Sequence, residues 1–135
     1  MLRSGSLPAV DDHPDPTEPG ALRIDRRVLD GALVLAVAGE VDLDSVEGLA
    51  AALTDAVDRG PCEVVVADLS TVTFLGSIGL TALLEATRRA DAAGRSLHLV
   101  VDANRPVIRP IEITGLDLEL TLFHTVEEAL HGRAR

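Results

Sequence analysis

The chain has 135 residues, a formal net charge of −10 at neutral pH, and twelve basic residues that are all arginines. This length suits one domain with a single core. Nucleic acid is an unsuitable partner, because phosphate backbones attract basic surfaces and single strands stack on aromatic rings, of which this chain has two. The absence of lysine excludes Schiff-base chemistry and a Walker-type phosphate loop.

Cysteine and histidine usage argues against covalent cross-links and metal. Cys62 is the single cysteine, so the chain can form neither an internal disulfide nor a thiolate cluster. The four histidines lack a ligand spacing such as i, i+4 on one helix, and we expect no metal and no other cofactor. No apolar run approaches the roughly 20 residues of a membrane span, and no signal-peptide core is found near the N-terminus. We therefore expect a soluble, cytoplasmic protein without membrane insertion.

The first 20 residues differ in composition from the rest of the chain. They contain four prolines and four acidic residues. Such a segment buries too little apolar surface to offset its ordering entropy, so residues 1–20 are predicted to be a flexible acidic tail. A docking arm is the less favoured alternative. Residues 21–135 are predicted to form the folded domain.

The next part of the chain predicts a hairpin, a helix and a buried strand. Partial alternation from Leu22, a tight turn at Asp30-Gly31 and the apolar run 32–38 predict two paired strands. Residues 39–44 are then a loop, and Asp44 is predicted to cap a helix that ends at Arg59, because Glu47 completes a capping box. Residues 64–69 are apolar on both faces, as is typical of a central strand.

The remaining elements follow from the same periodicities. In order they are a helix from about Ser77 to Ala93, a strand over 97–101, a helix from Asn104 or Arg105 to Gly115, an edge strand over 120–124, and a helix capped by Thr125 that ends near His131. Pro110 would kink the third helix or delay its start to about Arg109. The order β-β-α-β-α-β-α-β-α predicts an α/β fold, with a mixed sheet of about five strands covered by about four helices.

The most informative stretch is residues 64–80, VVVADLSTVTFLGSIGL, in which a helix begins at Ser77 after a strand and a short turn. At a helix N-terminus the backbone N–H groups lack partners and the dipole is positive, so the position suits a capping hydroxyl and equally a phosphate. As a cap, Ser77 would contribute about 1 kcal/mol to the helix. The two roles are compatible, because an exposed capping hydroxyl is also accessible.

Three carboxylates stand near predicted strand ends. Asp42 and Asp44 should lie beside the turn that precedes Ser77, where they either contact a partner or serve structurally, with Asp44 as a cap and Asp42 solvated. They do not form a catalytic pair, since no histidine or apolar pocket is evident nearby to shift their pKa values. Asp68 is predicted to end the central strand, where open sheets bind ligands, but a turn residue bonded to its own backbone through Ser70 or its neighbour is favoured.

The motifs GEVDLDS, VVVADLSTVTFLGSIGL and IEITGLDLELTLFHTVEEAL, with this element order, resemble the STAS fold over roughly residues 22–132. More narrowly, the chain is similar to the bacterial anti-anti-sigma factors, also called anti-sigma factor antagonists. Such proteins have a strand ending in Asp-Leu-Ser and then Phe-Leu-Asp-Ser-Ser-Gly-Leu, and this chain has Asp68-Leu69-Ser70 and then Phe74-Leu75-Gly76-Ser77-Ile78-Gly79-Leu80. The family's acidic residue is therefore Gly76 here, and its second small polar residue is Ile78.

The resemblance implies a regulatory binding module with no catalytic residues. By position, Ser77 matches the serine that an anti-sigma kinase phosphorylates in the family. In its unphosphorylated form the protein would bind an anti-sigma factor of the ATPase-kinase type and so release a sigma factor, and a phosphatase is a further candidate partner. The fold and the family together suggest these partner-binding residues: Asp42, Leu43, Asp44, Leu75, Gly76, Ile78, Gly79, Leu80 and Asn104.

Two other functions remain as alternatives. One is a STAS subunit of a membrane transporter or of a larger stress-signalling assembly, in which Ser77 is a cap only. The other is an enzyme or small-ligand protein, which is weakest because the sequence shows no nucleophile–base pair, metal set or phosphate loop.

Overall fold

The computed structural model describes residues 21–131, so the tail predicted over residues 1–20 lies outside the described part. The described residues confirm the predicted α/β fold, with five strands, four α-helices and a short 3-10 helix at Leu116–Leu118. In chain order the elements are β1 (Arg23–Leu29), β2 (Ala32–Val41), α1 (Val46–Arg59), β3 (Val64–Leu75), α2 (Ser77–Ala92), β4 (Ser96–Val100), α3 (Arg105–Thr114), β5 (Leu122–Phe123) and α4 (Val126–Leu130).

The five strands form one mixed sheet whose spatial order is the chain order. β1 and β2 are antiparallel, and the other neighbouring strands are parallel. The predicted hairpin turn is confirmed, because Asp30 and Gly31 have φ values of 50° and 79°. Two successive positive φ angles are the geometry of a two-residue hairpin turn, which favours Asp-Gly.

The helices cover both faces of the sheet unequally. On the front face, Leu33, Leu35 and Val37 of β2 belong to a core with buried residues of α1, α2 and α3. On the back face, Ala32 and Val34 belong to a smaller core with α4. This division follows from the strand period of two, which sends alternate side chains to opposite faces.

His98 anchors α4 to the back face. Its ring is buried, its Nδ1 lies 2.9 Å from the carbonyl oxygen of Ala129, and its centroid is 4.8 Å from that of Phe123. The buried imidazole therefore has both an apolar neighbour and a hydrogen-bond partner, as buried polar rings require.

Two strands are longer than predicted. The ends predicted at Ala38 for β2 and Leu69 for β3 are wrong, since these strands stay paired as far as Val41 and Leu75. The strand ends were predicted too early because the ladder between β2 and β3 contains two register shifts. One of them is next to Gly39, whose φ is 103°. A bulge interrupts the alternation of buried and exposed side chains without ending the pairing.

The last third of the described chain follows the prediction with two changes. α3 starts at Arg105 after Asn104 and ends at Gly115, whose φ is 76°, so a delayed start near Arg109 is wrong and Pro110 is accommodated inside the helix. β5 is shorter than the predicted edge strand. The predicted cap of α4 is confirmed, because the hydroxyl of Thr125 accepts a hydrogen bond from the backbone N–H of Glu128 at 3.1 Å.

Candidate functional site

α2 begins one residue earlier than it would if Ser77 were its cap. Its N-cap is Gly76, whose carbonyl oxygen accepts hydrogen bonds from the N–H groups of Gly79 and Leu80 at 3.0 and 3.1 Å. Ser77 is the first helical residue, and the prediction that its side chain caps the helix is wrong. Its side chain is exposed, and its hydroxyl has no hydrogen-bond partner among residues 21–131. The hydroxyl is therefore accessible at a helix N-terminus and is not used by the fold.

The loop between β2 and α1 lies beside this turn, as expected. The N–H of Gly76 donates to the carbonyl oxygen of Val41 at 3.1 Å, which joins the start of α2 to the end of β2. The loop itself is held by Asp42, whose Oδ1 accepts from the N–H groups of Asp44 and Ser45 at 3.0 and 3.1 Å. Such bonding of an aspartate to the backbone two residues on is an Asx-turn.

The structural roles predicted for the two loop aspartates, with Asp44 as a cap and Asp42 solvated, are therefore wrong. Asp44 does not cap α1, whose N-cap is Ser45. Asp42 is half-buried rather than solvated. The hydroxyl of Ser45 accepts from the N–H of Asp42 at 3.0 Å and lies 2.8 Å from the carbonyl oxygen of Glu40, which closes the loop. Asp44 is left exposed.

Close packing beneath the turn depends on Gly79. A Cβ atom placed there would lie 2.6 Å from Cδ1 of Leu75 and 2.7 Å from Cγ1 of Val41. Leu75, Gly79 and Leu80 are buried, although all three were predicted as partner-binding residues. They form the support of the turn, and any partner would contact the residues around them.

Three large apolar side chains are exposed around Ser77. Leu43 in the β2–α1 loop is 74% exposed, Phe74 at the end of β3 is 49% exposed, and Ile78 in α2 is 41% exposed. We call Leu43, Phe74, Ser77 and Ile78 the docking surface. Exposed apolar groups brought together in this way are typical of protein interaction sites.

Phe74 was not predicted as a binding residue. Phe74 belongs to the sequence motif, but the orientation of its side chain was not predicted, because β3 was predicted to end at Leu69. In the structure Phe74 is opposite Glu40 in the ladder, and its neighbour Leu75 is buried. The alternation Phe74-out, Leu75-in would have identified it if the strand had been extended to this point.

Asn104 and Asp68 stabilise the bulged part of β3. The Asn104 amide donates to the carbonyl oxygens of Leu69 and Val72 at 2.8 and 2.7 Å, so it ties the start of α3 to the strand that leads to the turn. Asp68 lies within β3, and its predicted position at the strand end is wrong. The favoured local bond is confirmed, since its Oδ1 accepts from the N–H and hydroxyl of Ser70 at 3.0 and 2.7 Å.

Charged groups of the described residues form surface pairs and no metal cluster. Within residues 21–131 no three His, Cys, Asp or Glu side chains are grouped closely enough to hold a metal ion. Hydrogen bonds from Arg89 lower the pKa of Asp58, but this pair joins the outer surfaces of α1 and α2. None of the helices in this part of the chain is both long and apolar enough to cross a membrane.

Comparison with known proteins agrees with this geometry. Residues 23–129 match the STAS domain. The chain is 41% identical over 103 residues to the anti-sigma-F factor antagonist RsfB of Mycobacterium tuberculosis, a match that covers 76% of this chain and 81% of that protein. A crystal structure of an anti-sigma factor antagonist from Mycobacterium paratuberculosis has a TM-score of 0.77 and 31% identity, over 85% of this chain and 96% of that one. The unphosphorylated form of the antagonist SpoIIAA shares the fold, with a TM-score of 0.65 at 22% identity over 85% of this chain and all of that one.

The chain therefore belongs to the STAS domain family. Within that family it groups with the anti-sigma factor antagonists, which are regulatory binding proteins rather than enzymes.

Proposed function

We propose that this protein binds an anti-sigma factor of the ATPase-kinase type through the docking surface, and that phosphorylation of Ser77 prevents this binding. When the unphosphorylated protein binds the anti-sigma factor, the anti-sigma factor would release its sigma factor. One observation carries the proposal: the Ser77 hydroxyl is exposed at the N-terminus of α2, among the exposed side chains of Leu43, Phe74 and Ile78. The similarity to antagonists named for anti-sigma factors supports this class of partner.

Phosphorylation would act on the interface and not on the fold. A phosphate adds a charge of about −1.5 to −2 at neutral pH. The positive end of the α2 dipole and its unpaired N–H groups tolerate this charge, so we expect the domain to stay folded. A partner seated on Leu43, Phe74 and Ile78 would have to desolvate the phosphate. If that costs about 3 kcal/mol, affinity falls more than a hundredfold.

The residues beside Ser77 bear on how a kinase would reach it. Gly76 places no side chain next to the Ser77 hydroxyl, and its N–H donates to the carbonyl oxygen of Val41. Asp44 is an exposed carboxylate in the adjoining loop and is the candidate for a local acidic group. A phosphatase that removes the phosphate would return the protein to its binding form.

The phosphoswitch is tested with variants of Ser77. Ser77→Asp should weaken binding to the kinase-type anti-sigma factor, and Ser77→Ala should bind as the wild type does but resist phosphorylation, which intact-mass analysis would detect. Thr54→Asp is the charge control, since it adds the same charge at an exposed site two turns along α1. If Ser77→Asp and Ser77→Ala bind equally well in a titration calorimeter, the switch is wrong even though the family is right.

The docking surface is tested separately. Phe74→Ser and Ile78→Ser should each weaken the complex, because each removes apolar area that the partner would cover. Val28→Ser is the matched control, because Val28 is 57% exposed on the edge strand β1. Equal loss of binding in all three variants would count against this surface. Co-purification with a transporter subunit in place of a kinase-like protein would support the alternative role as a subunit of such an assembly.

A further inference from the structure

α3 presents two arginines that have no counterion among residues 21–131. Arg105 and Arg109 are exposed and four residues apart, so they lie on one side of the helix. Neither guanidinium forms an ion pair or a hydrogen bond with another group of residues 21–131. By contrast, Arg26, Arg88 and Arg89 each contact a carboxylate at 2.9 Å or less. Two neighbouring cations of α3 are thus without a carboxylate partner in the described part of a chain whose net charge is −10.

The same side of α3 continues into exposed apolar groups. Ile113, four residues beyond Arg109, is 72% exposed, and Leu118 in the following 3-10 helix is 88% exposed. Asp117, which lies between these two residues in the chain, is exposed as well. The opposite side of α3 is fixed in the core, so this arrangement is held in place. We call Arg105, Arg109, Ile113, Asp117 and Leu118 the α3 surface, and along the chain its basic residues come first and its apolar residues follow, with Asp117 between the two apolar ones.

The first 20 residues carry the complementary order. Moving away from Ala21 towards the N-terminus, the sequence has acidic residues, then apolar residues, then a basic residue. These are Glu18, Asp15, Asp12 and Asp11, then Val10, Pro8 and Leu7, then Arg3. The arginines and then the apolar groups of the α3 surface thus have partners of matching chemistry, in the same order, in the acidic and then the apolar residues of this segment.

The segment starts at the correct end of the sheet and is long enough. β1 is antiparallel to β2 and Arg23 pairs with Ala38, so Ala21 lies near the carboxyl ends of the parallel strands, where α3 also begins. From β1 to β4 is three strand spacings, about 14 Å, and the helix layer adds about 10 Å. The ten residues from Ala21 back to Asp11 span up to about 31 Å when extended, at about 3.1 Å each.

We propose that residues 3–15 of this chain dock on the α3 surface. Asp11 and Asp12 pair with Arg105 and Arg109, and the apolar residues before them cover Ile113 and Leu118. Exposed ion pairs are individually weak, but a short tether gives an effective concentration on the order of millimolar, so a weak contact is populated. The docking depends on salt and does not depend on the function proposed above.

The test uses the full chain with a spin label at position 10. Val10→Cys is labelled in a Cys62→Ala background, and methyl signals are read by NMR. We expect the signals of Ile113 and Leu118 to broaden at least threefold more than those of Val28 and Leu43, which are exposed elsewhere. The difference should vanish in Arg105→Ser/Arg109→Ser and at high salt, and should persist in the control Arg27→Ser, which removes an exposed arginine from β1.

Several results would overturn the proposal. They are equal broadening of the methyl signals of all four residues, greater broadening at Val28 or Leu43, and no effect of the double arginine variant. A second measurement avoids the labelled background. Asp11→Asn/Asp12→Asn in the otherwise unchanged chain should shift the amide signals of Arg105, Arg109 and Ile113 and leave that of Arg59 unmoved, and unmoved α3 amides would contradict the docking.

Discussion

Replacing Gly79 by alanine should destabilise the protein although alanine favours helices. The new Cβ would lie 2.6 Å from Cδ1 of Leu75 and 2.7 Å from Cγ1 of Val41, where ordinary contacts are 3.4–4 Å. The Leu75 side chain can rotate, but Val41 is fully buried and β-branched, and it cannot retreat without moving the end of β2.

The two opposing effects can be compared in magnitude. Overpacking a core by one methyl group costs about 1–3 kcal/mol, whereas glycine to alanine in a helix gains up to about 1 kcal/mol. We therefore expect Gly79→Ala to lose about 1–2 kcal/mol of the free energy of unfolding. Gly48→Ala is the matched control in α1, because its Cβ would meet only Cδ2 of Leu22, at 3.9 Å. That variant should gain stability.

Urea unfolding followed by far-ultraviolet circular dichroism measures both variants, since the chain has no Trp or Tyr for fluorescence. A change of about 1 kcal/mol moves the midpoint by about 0.5–1 M. Val41→Ala should make room for the added methyl, so Gly79→Ala should cost less in that background. A Gly79→Ala midpoint at or above that of Gly48→Ala would show that the reasoning about this contact is wrong.

Two further predictions concern side chains outside the docking surface. Asn104→Ala removes the donors to the carbonyl oxygens of Leu69 and Val72 and should lower the free energy of unfolding by about 1–3 kcal/mol, with Glu112→Ala, exposed on the same helix, changing it by less than about 0.5 kcal/mol. The pKa of Asp58 is lowered from 3.8 by hydrogen bonds from Arg89, so the pair stabilises the fold above that pH and its contribution is lost as the pH falls through the lowered value. NMR of the Asp58 carboxyl carbon should give a pKa below 3.8, and this pKa should rise in Arg89→Gln. An unchanged pKa in that variant would show that Arg89 is not the cause of the lowering.

The fold could be predicted from the sequence because its signals are local. Hydrophobic periods, the Asp30-Gly31 turn and the Gly115 helix end each depend on a few neighbouring residues, and the structure confirms them. The strand ends were wrong because bulges break the alternation on which such predictions rest. The orientation of Phe74 was missed for the same reason.

The details of the site were harder to predict because several side chains compete for the same backbone groups and because some contacts join residues far apart in the chain. Asp42, Asp44 and Ser45 could each bond to the loop backbone, and sequence alone does not decide which one does. Asn104 bonds to groups more than 30 residues away in the chain. Ser77 was correctly predicted to be exposed, but it was predicted as the N-cap and is the first residue of the helix.

The place of Ser77 just after the N-cap of α2 has a consequence for how residue 77 can vary. Since Gly76 is the N-cap of α2, the Ser77 hydroxyl makes no hydrogen bond that stabilises the helix. Phosphorylation of Ser77 and its later removal would change which partner the protein binds, while its free energy of unfolding would stay constant. On the function proposed above, signalling and stability would depend on adjacent residues and could evolve independently.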